Sequence, residues 1–452
     1  MTLLNELSAE VCQRARMSRD PRFDGRFFVA VKTTGIFCRP ICPANLPKEE
    51  NVEYFSSQAL AVSAGYRPCL RCRPESAPHS WAWKGAETTF LRALTLIEQG
   101  ELDGSLETLA SRLGISDRYL RQLFQRHLGM PPKQYAQIQQ LMFAKQLLHT
   151  SQISITEVAY ASGFQSTRRF NDAFQKLFRL TPTQVRRERA ALPSRNYLSL
   201  AFRGPFDWAH MLDFYRLRAI EGMELVDEQS YQRHFVLGEG TGWFKVSMAQ
   251  SHLDIEFEME RLSDLRHLVA RLRRMFDLDA DLISIEAHLE QLAPGLVRRT
   301  GIRIPGVWNA WEAGVRAVLG QQVSVKAAIG QLNLLVSTLA ASEGSTRYFP
   351  TPEQVQMSEL SFLRMPERRK ETLKRLADYV RLHPMDSPMA WLSLSGIGPW
   401  TVDYAQLRGE SRSHCFLTGD LIVKKALAKF PKLTAESVAP WGSYATFHCW
   451  SH

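Results

Sequence analysis

Nowhere in its 452 residues does this chain stay apolar long enough to cross a bilayer. Residues 1–25 alternate apolar with charged positions and lack the uninterrupted apolar segment of a secretory signal. Cysteine is scarce. Of seven, four fall into close pairs, while Cys12, Cys415 and Cys449 stand alone, which suits a reducing compartment better than a disulfide framework. A cytoplasmic location with no membrane partner is the expectation. Disorder is excluded as well, because 45% hydrophobic and 10% aromatic residues let each segment bury a core.

What the chain has in excess is positive charge, +10 overall, which favours a polyanionic partner. The excess is local. Between Ser105 and Ala190 thirteen Arg or Lys stand against five Asp or Glu, a balance of +8. Length alone suggests about three domains, and the motifs raise this to four. Breaks in periodicity near Pro74–Gly85 and Arg186–Asn196 mark linkers. The fold class expected is multidomain α+β, divided as 1–78, 86–190, 195–287 and 288–452. In order these are a small α/β domain that holds the close cysteine pairs, an all-α domain, an α+β domain and a second all-α domain.

Cys38, Cys42, Cys69 and Cys72 form C-x3-C and C-x2-C pairs with twenty-six residues between them, the spacing of a closed tetrahedral zinc site. The flanking text, Thr33–Cys42 (TTGIFCRPIC) and Gly65–Arg73 (GYRPCLRCR), resembles the N-terminal domain of the Ada family of adaptive-response proteins. The resemblance implies a zinc cofactor held by all four cysteines. It also implies that Cys38, in FCRP, irreversibly accepts a methyl group from DNA methylphosphotriesters.

Leu106–Phe124 and Ile155–Phe174 each read as a helix, a turn at Gly114 or Gly163, and a second helix opened by Ser116 or Ser166. With Ala159–Phe164 (AYASGF) and Phe178–Arg187 (FRLTPTQVRR), this stretch is similar to AraC-type DNA-binding domains. Candidate DNA contacts are Arg118, Arg121, Arg168 and Arg169, with Tyr119, Gln122, Thr167 and Asn171 beside them. The resemblance implies a transcriptional activator switched on by methylation at Cys38 and acting on a promoter with RNA polymerase. A monomer associated with the nucleoid is expected.

Tyr197 to about Ala287 mixes strand-like runs with the helical segments Trp208–Ala219 and Leu262–Phe276, and the chain from Ala310 onward reads as helices. Leu394–Thr401 (LSGIGPWT) matches a helix-hairpin-helix turn, in which Gly396 and Gly398 allow close approach to DNA phosphate. Twenty-two residues beyond Gly398 stands Asp420, in FLTGDLIVKK. The hairpin, Asp420, Val315–Val325 (VRAVLGQQVSV) and Pro440–Trp450 (PWGSYATFHCW) resemble the AlkA family of 3-methyladenine DNA glycosylases, within the helix-hairpin-helix superfamily.

That likeness implies excision of alkylated bases, with Asp420 as the carboxylate beside the developing sugar cation. It implies a base pocket of Trp400, Tyr404 and Trp450, which selects cationic bases by stacking. Gln322 aligns with the family's apolar wedge, and Gly419 replaces an acidic residue that often precedes the aspartate. Strand-cleaving relatives place a lysine in the hairpin where this chain has Trp400, so a monofunctional hydrolase is expected. The Pro-Cys-His-Arg motif of O6-alkylguanine methyltransferases is absent, and no O6-methylguanine repair is expected. The alternatives are a methyl-sensing transcription factor with an inactive glycosylase remnant, and a plain glycosylase whose zinc is structural.

Overall fold

The structure is a computed structural model that describes residues 7–20, 23–72, 74, 81–98, 100, 102, 105–186, 196–340, 342–344, 346–384 and 386–451. Most of the two expected linkers lies outside these residues. By internal contacts the chain forms two compact units, Met1–Gln139 and Gln140–His452. The boundary falls within helix Pro132–Thr150.

The first unit opens with a four-stranded sheet in the order Val52–Phe55, Phe28–Val31, Ile36–Cys38, Arg67–Pro68, antiparallel except for the last pair. Its Phe, Val and Ala residues alternate between two small cores. One holds Cys12, Ala15, Phe27, Val29 and Val52, the other Phe28, Ala30, Phe37 and Ala61. Nine buried side chains are a modest core, so metal ligation supplies stability that apolar burial alone does not. Helices Trp81–Glu98, Leu106–Arg112 and Asp117–Leu128 follow, gathered around Phe90, Leu109, Leu123 and Phe124.

The second unit begins with another helix-turn-helix, Ile155–Ala161 and Thr167–Phe178. Both recognition helices start where the sequence signals them. Ser116 Oγ accepts from Tyr119 N, and Ser166 Oγ accepts from Arg169 N. Next comes a five-stranded antiparallel sheet ordered Tyr197–Ala201, His252–Met259, Gly240–Met248, Ser230–Leu237, Glu224–Val226. Helices Trp208–Arg216 and Leu265–Met275 contribute to the core it builds. The rest is helical apart from a two-residue hairpin, Ser342–Glu343 with Thr346–Arg347.

Sheet and helical domain are joined by a buried charge cluster. From strand Ser230–Leu237, Arg233 donates to Glu224 (2.9 Å) and to both oxygens of Glu312 on helix Ala310–Gly320. Arg316, one turn along that helix, donates to Glu312 (2.9 Å) and Glu224 (3.1 Å). Two guanidiniums and two carboxylates balance. Burial disfavours the charged form of Glu312, yet Arg233 and Arg316 hold its carboxyl below the usual range. Removing one member strands the others in a site of low dielectric. Glu312→Ala is therefore expected to destabilise the second unit by about 3–5 kcal/mol, read as a fall in the urea midpoint followed by tryptophan fluorescence.

Asp277 is the reverse case. Burial raises its pKa to about 7, against hydrogen bonds from Ile304 N (3.2 Å) and Tyr444 OH (3.0 Å). A carboxyl with a raised folded pKa contributes stability that is fully present below its unfolded value of about 3.9 and fades as pH rises through the folded value. Asp277→Asn is expected to flatten the decline in urea midpoint between pH 5 and 8. Parallel declines in parent and variant would contradict this.

Candidate functional sites

Cys38 ends strand Ile36–Cys38, opposite Val29. Cys42 follows a turn closed by its own N–H donating to Arg39 O. The second pair arrives because the parallel strand Arg67–Pro68 lies beside Ile36–Phe37, with Cys69 N donating to Phe37 O at 3.0 Å. The four sulfurs lie within 4.8 Å of one another, close enough for one tetrahedral ion to reach all four. Cys42 is buried, whereas Cys38 is partly exposed. Arg39 braces the cluster. Its guanidinium is paired with Asp24, and its backbone N–H donates to Cys72 Sγ at 3.4 Å. A hydrogen bond to Cys72, then burial, then the neighbouring thiolates all raise the Cys38 thiol. Such crowding of like charges is what a dication relieves, so the donor set fits zinc.

On the recognition helices, Arg118, Arg121, Arg168 and Arg169 are all exposed, but not equally free. Arg121 pairs with Asp117 one turn back, at 2.7 Å, whereas Arg168 and Arg169 have no carboxylate partner among the described residues. The second helix therefore offers the stronger positive face.

Asp420 caps helix Leu421–Lys429. Its Oδ1 accepts from Ile422 N (2.9 Å), Val423 N (3.2 Å) and Trp450 Nε1 (3.1 Å). Its Oδ2 has no hydrogen-bond partner among the described residues. The carboxylate sits at a cavity of about 450 Å³ lined by Phe214, Trp400, Tyr404 and Trp450 among others. Two ring pairs stack there, Trp400 with Tyr404 (5.4 Å, 27°) and Phe214 with Trp450 (6.3 Å, 16°). The structure thus brings together Trp400, Tyr404, Trp450 and Asp420. It adds Phe214, which sequence reasoning missed because its helix reads as ordinary core.

An open groove outside the cavity holds Gln322, Gly396, Gly398, Arg368, Arg369 and Asp420. Gly396 has φ +92°, and a Cβ there would lie 2.1 Å from Thr372 Oγ1, so no other residue fits. Gly398 caps helix Pro399–Glu410, and no atom of the described residues lies within 4 Å of where its Cβ would be, leaving the backbone open to phosphate. Gln321, another residue not singled out from sequence, donates to Gly396 O and Thr401 Oγ1, both at 3.1 Å. That ties the turn carrying Gln322 to the hairpin. Gln322 itself is exposed, in the left-handed region at φ 56°.

Three family models match: the metal-binding domain of Ada over residues 11–75, a helix-turn-helix domain over 109–188, and the AlkA N-terminal domain over 197–309. With four thiol donors at one point, the first makes zinc the metal of the cysteine cluster. The DNA-3-methyladenine glycosylase 2 of Escherichia coli is 32% identical over 279 residues, covering 56% of this chain and 96% of that protein. The bifunctional transcriptional activator/DNA repair enzyme Ada of the same organism is 35% identical over 170 residues, covering 38% of this chain and 47% of that protein. One relative spans both. A Mycobacterium tuberculosis protein named "Probable bifunctional transcriptional activator/DNA repair enzyme AlkA" is 34% identical over 475 residues, covering 98% of this chain and 96% of that protein. The four-thiol cluster, the paired helix-turn-helix and the carboxylate-capped aromatic cavity thus occur in one chain, which belongs to the family of bifunctional transcriptional activator/DNA repair enzymes that join Ada and AlkA domains.

Proposed function

We propose that the chain repairs alkylated DNA by two unlike reactions and uses the first as a transcriptional signal. In the first unit Cys38 is the methyl acceptor, and Cys42, Cys69 and Cys72 complete the ligand set. Bound zinc supplies the charge that keeps the thiols ionised and nucleophilic at neutral pH. Cys38 Sγ attacks the methyl carbon of a methylphosphotriester; the carbon–oxygen bond breaks, the phosphodiester leaves as an anion, and the sulfur becomes a thioether. The step is stoichiometric, because a thioether has no route back to a thiolate. Loss of one negative charge also weakens repulsion of DNA phosphates, which lets the recognition helices, led by Arg168 and Arg169, hold a promoter. RNA polymerase is the partner that this activation implies. A monomer in the cytoplasm, associated with the nucleoid, suits such a role.

In the second unit a damaged base swings out of the duplex into the aromatic cavity while Gly396 and Gly398 grip the phosphate backbone and Gln322 fills the vacated space. The observation that carries this reading is Asp420. Three donors fix one of its oxygens, and the other, beside the cavity, has no hydrogen-bond partner among the described residues. A carboxylate so placed stabilises positive charge developing on the sugar and orients the attacking water. No lysine lines the cavity among the described residues, which favours plain hydrolysis over strand cleavage.

Two variants test the halves separately. The parent is expected to take up one methyl group per molecule from methylphosphotriester DNA, and Cys38→Ala none; uptake by the variant, followed by mass spectrometry, would refute the assignment. Release of free 3-methyladenine is expected to fall about 100- to 1,000-fold in Asp420→Asn, with methyl uptake retained. Excision unaffected by that change would remove Asp420 from the reaction.

A further inference from the structure

The second helix-turn-helix does not stand apart from the sheet that follows it. The first has a core of its own, built on Phe90, Leu109, Leu123 and Phe124. In the second, Leu147, Val158, Phe170 and Phe174 belong to the same buried core as Leu198, Phe244, Leu265 and Leu272 of the five-stranded sheet and its helix Leu265–Met275. Helix Ile155–Ala161 lies against the short 3-10 turn Leu262–Asp264. Ile155 and Leu262, both partly buried, pack on the shared core.

A buried apolar seam removes the freedom that two domains on a linker would otherwise have. Phe170 and Phe174 anchor the recognition helix Thr167–Phe178 in that core, while Arg168 and Arg169 stay exposed. The arginine pair therefore moves with the sheet.

The distribution of charge gives this docking a use. Residues 196–452 contain twenty-nine Arg or Lys and twenty-nine Asp or Glu, so they carry no net charge. Within them the acidic sheet segment, ten against sixteen over 196–287, cancels the excess on the helices that follow. Residues 140–190 hold eight Arg or Lys against three Asp or Glu, a balance of +5. Affinity for undamaged duplex comes from basic side chains on phosphates, and a body of zero net charge draws DNA weakly over distance. The packed body acquires its net positive charge from the helix-turn-helix.

We propose that the second helix-turn-helix is a fixed DNA-holding arm of the glycosylase: it seats undamaged duplex of any sequence through Arg168 and Arg169 while bases are tested at the cavity, and so serves excision as well as transcription. The inference rests on the glycosylase reading above. Because arm and cavity belong to one packed body, contact at the first raises the effective concentration of duplex at the second. Arg168 and Arg169 are positioning residues here, since neither lines the cavity.

The test is single-turnover excision at increasing protein concentration from a synthetic duplex of arbitrary sequence that carries one 7-methylguanine and no phosphotriester, so that Cys38 stays unmethylated. In the double variant Arg168→Ala, Arg169→Ala, the protein concentration giving half the maximal rate is expected to rise about tenfold at low salt with the maximal rate retained, and the slope of its logarithm against log[NaCl] to shrink by roughly two. Leu262→Asp, which alters no basic residue, is expected to raise that concentration roughly threefold or more and to speed amide hydrogen exchange in Ile155–Ala161. Ile155→Asp does the same from the other side of the seam. An unchanged concentration dependence and salt slope in the arginine variant would overturn the inference. So would parental concentration dependence in both seam variants despite faster exchange in Ile155–Ala161, because the arm would then act as a loose tether. A parent that releases no base would overturn the glycosylase reading, and this inference with it.

Discussion

Everything in the second unit that bears on chemistry depends on the buried cluster of Arg233, Glu312, Arg316 and Glu224. The cavity beside Asp420 has walls from two parts of the second unit: Phe214 and Arg218 come from the helix and turn that flank the sheet, Trp400, Tyr404 and Trp450 from the helices that follow Ala310. Neither wall is a pocket alone. The cluster clamps the seam by spanning it with charge-assisted hydrogen bonds in a place where unpaired charge is costly, and Arg316 extends the clamp to the backbone of Arg218. Apolar contact alone would allow the walls to slide. Paired guanidiniums and carboxylates fix direction as well as distance.

The two reactive centres solve the problem of an ionised nucleophile or carboxylate in opposite ways. At the cysteine cluster, four like charges are gathered on a small sheet, and a metal makes the gathering possible. The reaction consumes the nucleophile, so the event can be counted and serve as a signal. At Asp420 one charge is placed at a helix N-terminus, where backbone N–H groups and an indole hold it. In the proposed excision it forms no bond that persists, so the centre would turn over. Placing a consumable centre and a renewable one in one chain makes sense where damage must be both sensed and removed.

Much of this was legible in the sequence because the carrying features are local. Cysteine spacing encodes a metal site, Gly396 encodes a backbone that no side chain fits, and Asp420 begins a helix that its own carboxylate caps. Ser116 and Ser166 marked the recognition helices for the same reason. What stayed hidden is long-range or ambiguous. Phe214 and Arg218 sit on and after an amphipathic helix whose faces read as core and solvent, and nothing local says that Trp400 will face them across a cavity. The three-residue strand Glu224–Val226 is too short to show alternation, yet it carries half of the negative charge in the clamp. Gln321 differs from Gln322 only in where the turn points it.

The central claim is that one polypeptide performs a single-use methyl transfer and a multiple-turnover base excision. A single time course decides it: the full-length protein is incubated with excess methylated duplex DNA, and methyl groups on protein and free methylated bases are followed together. The account predicts that the first stops at one per molecule while the second keeps rising past it. If both plateau at one per molecule, or if only one of the two products forms, the account is wrong.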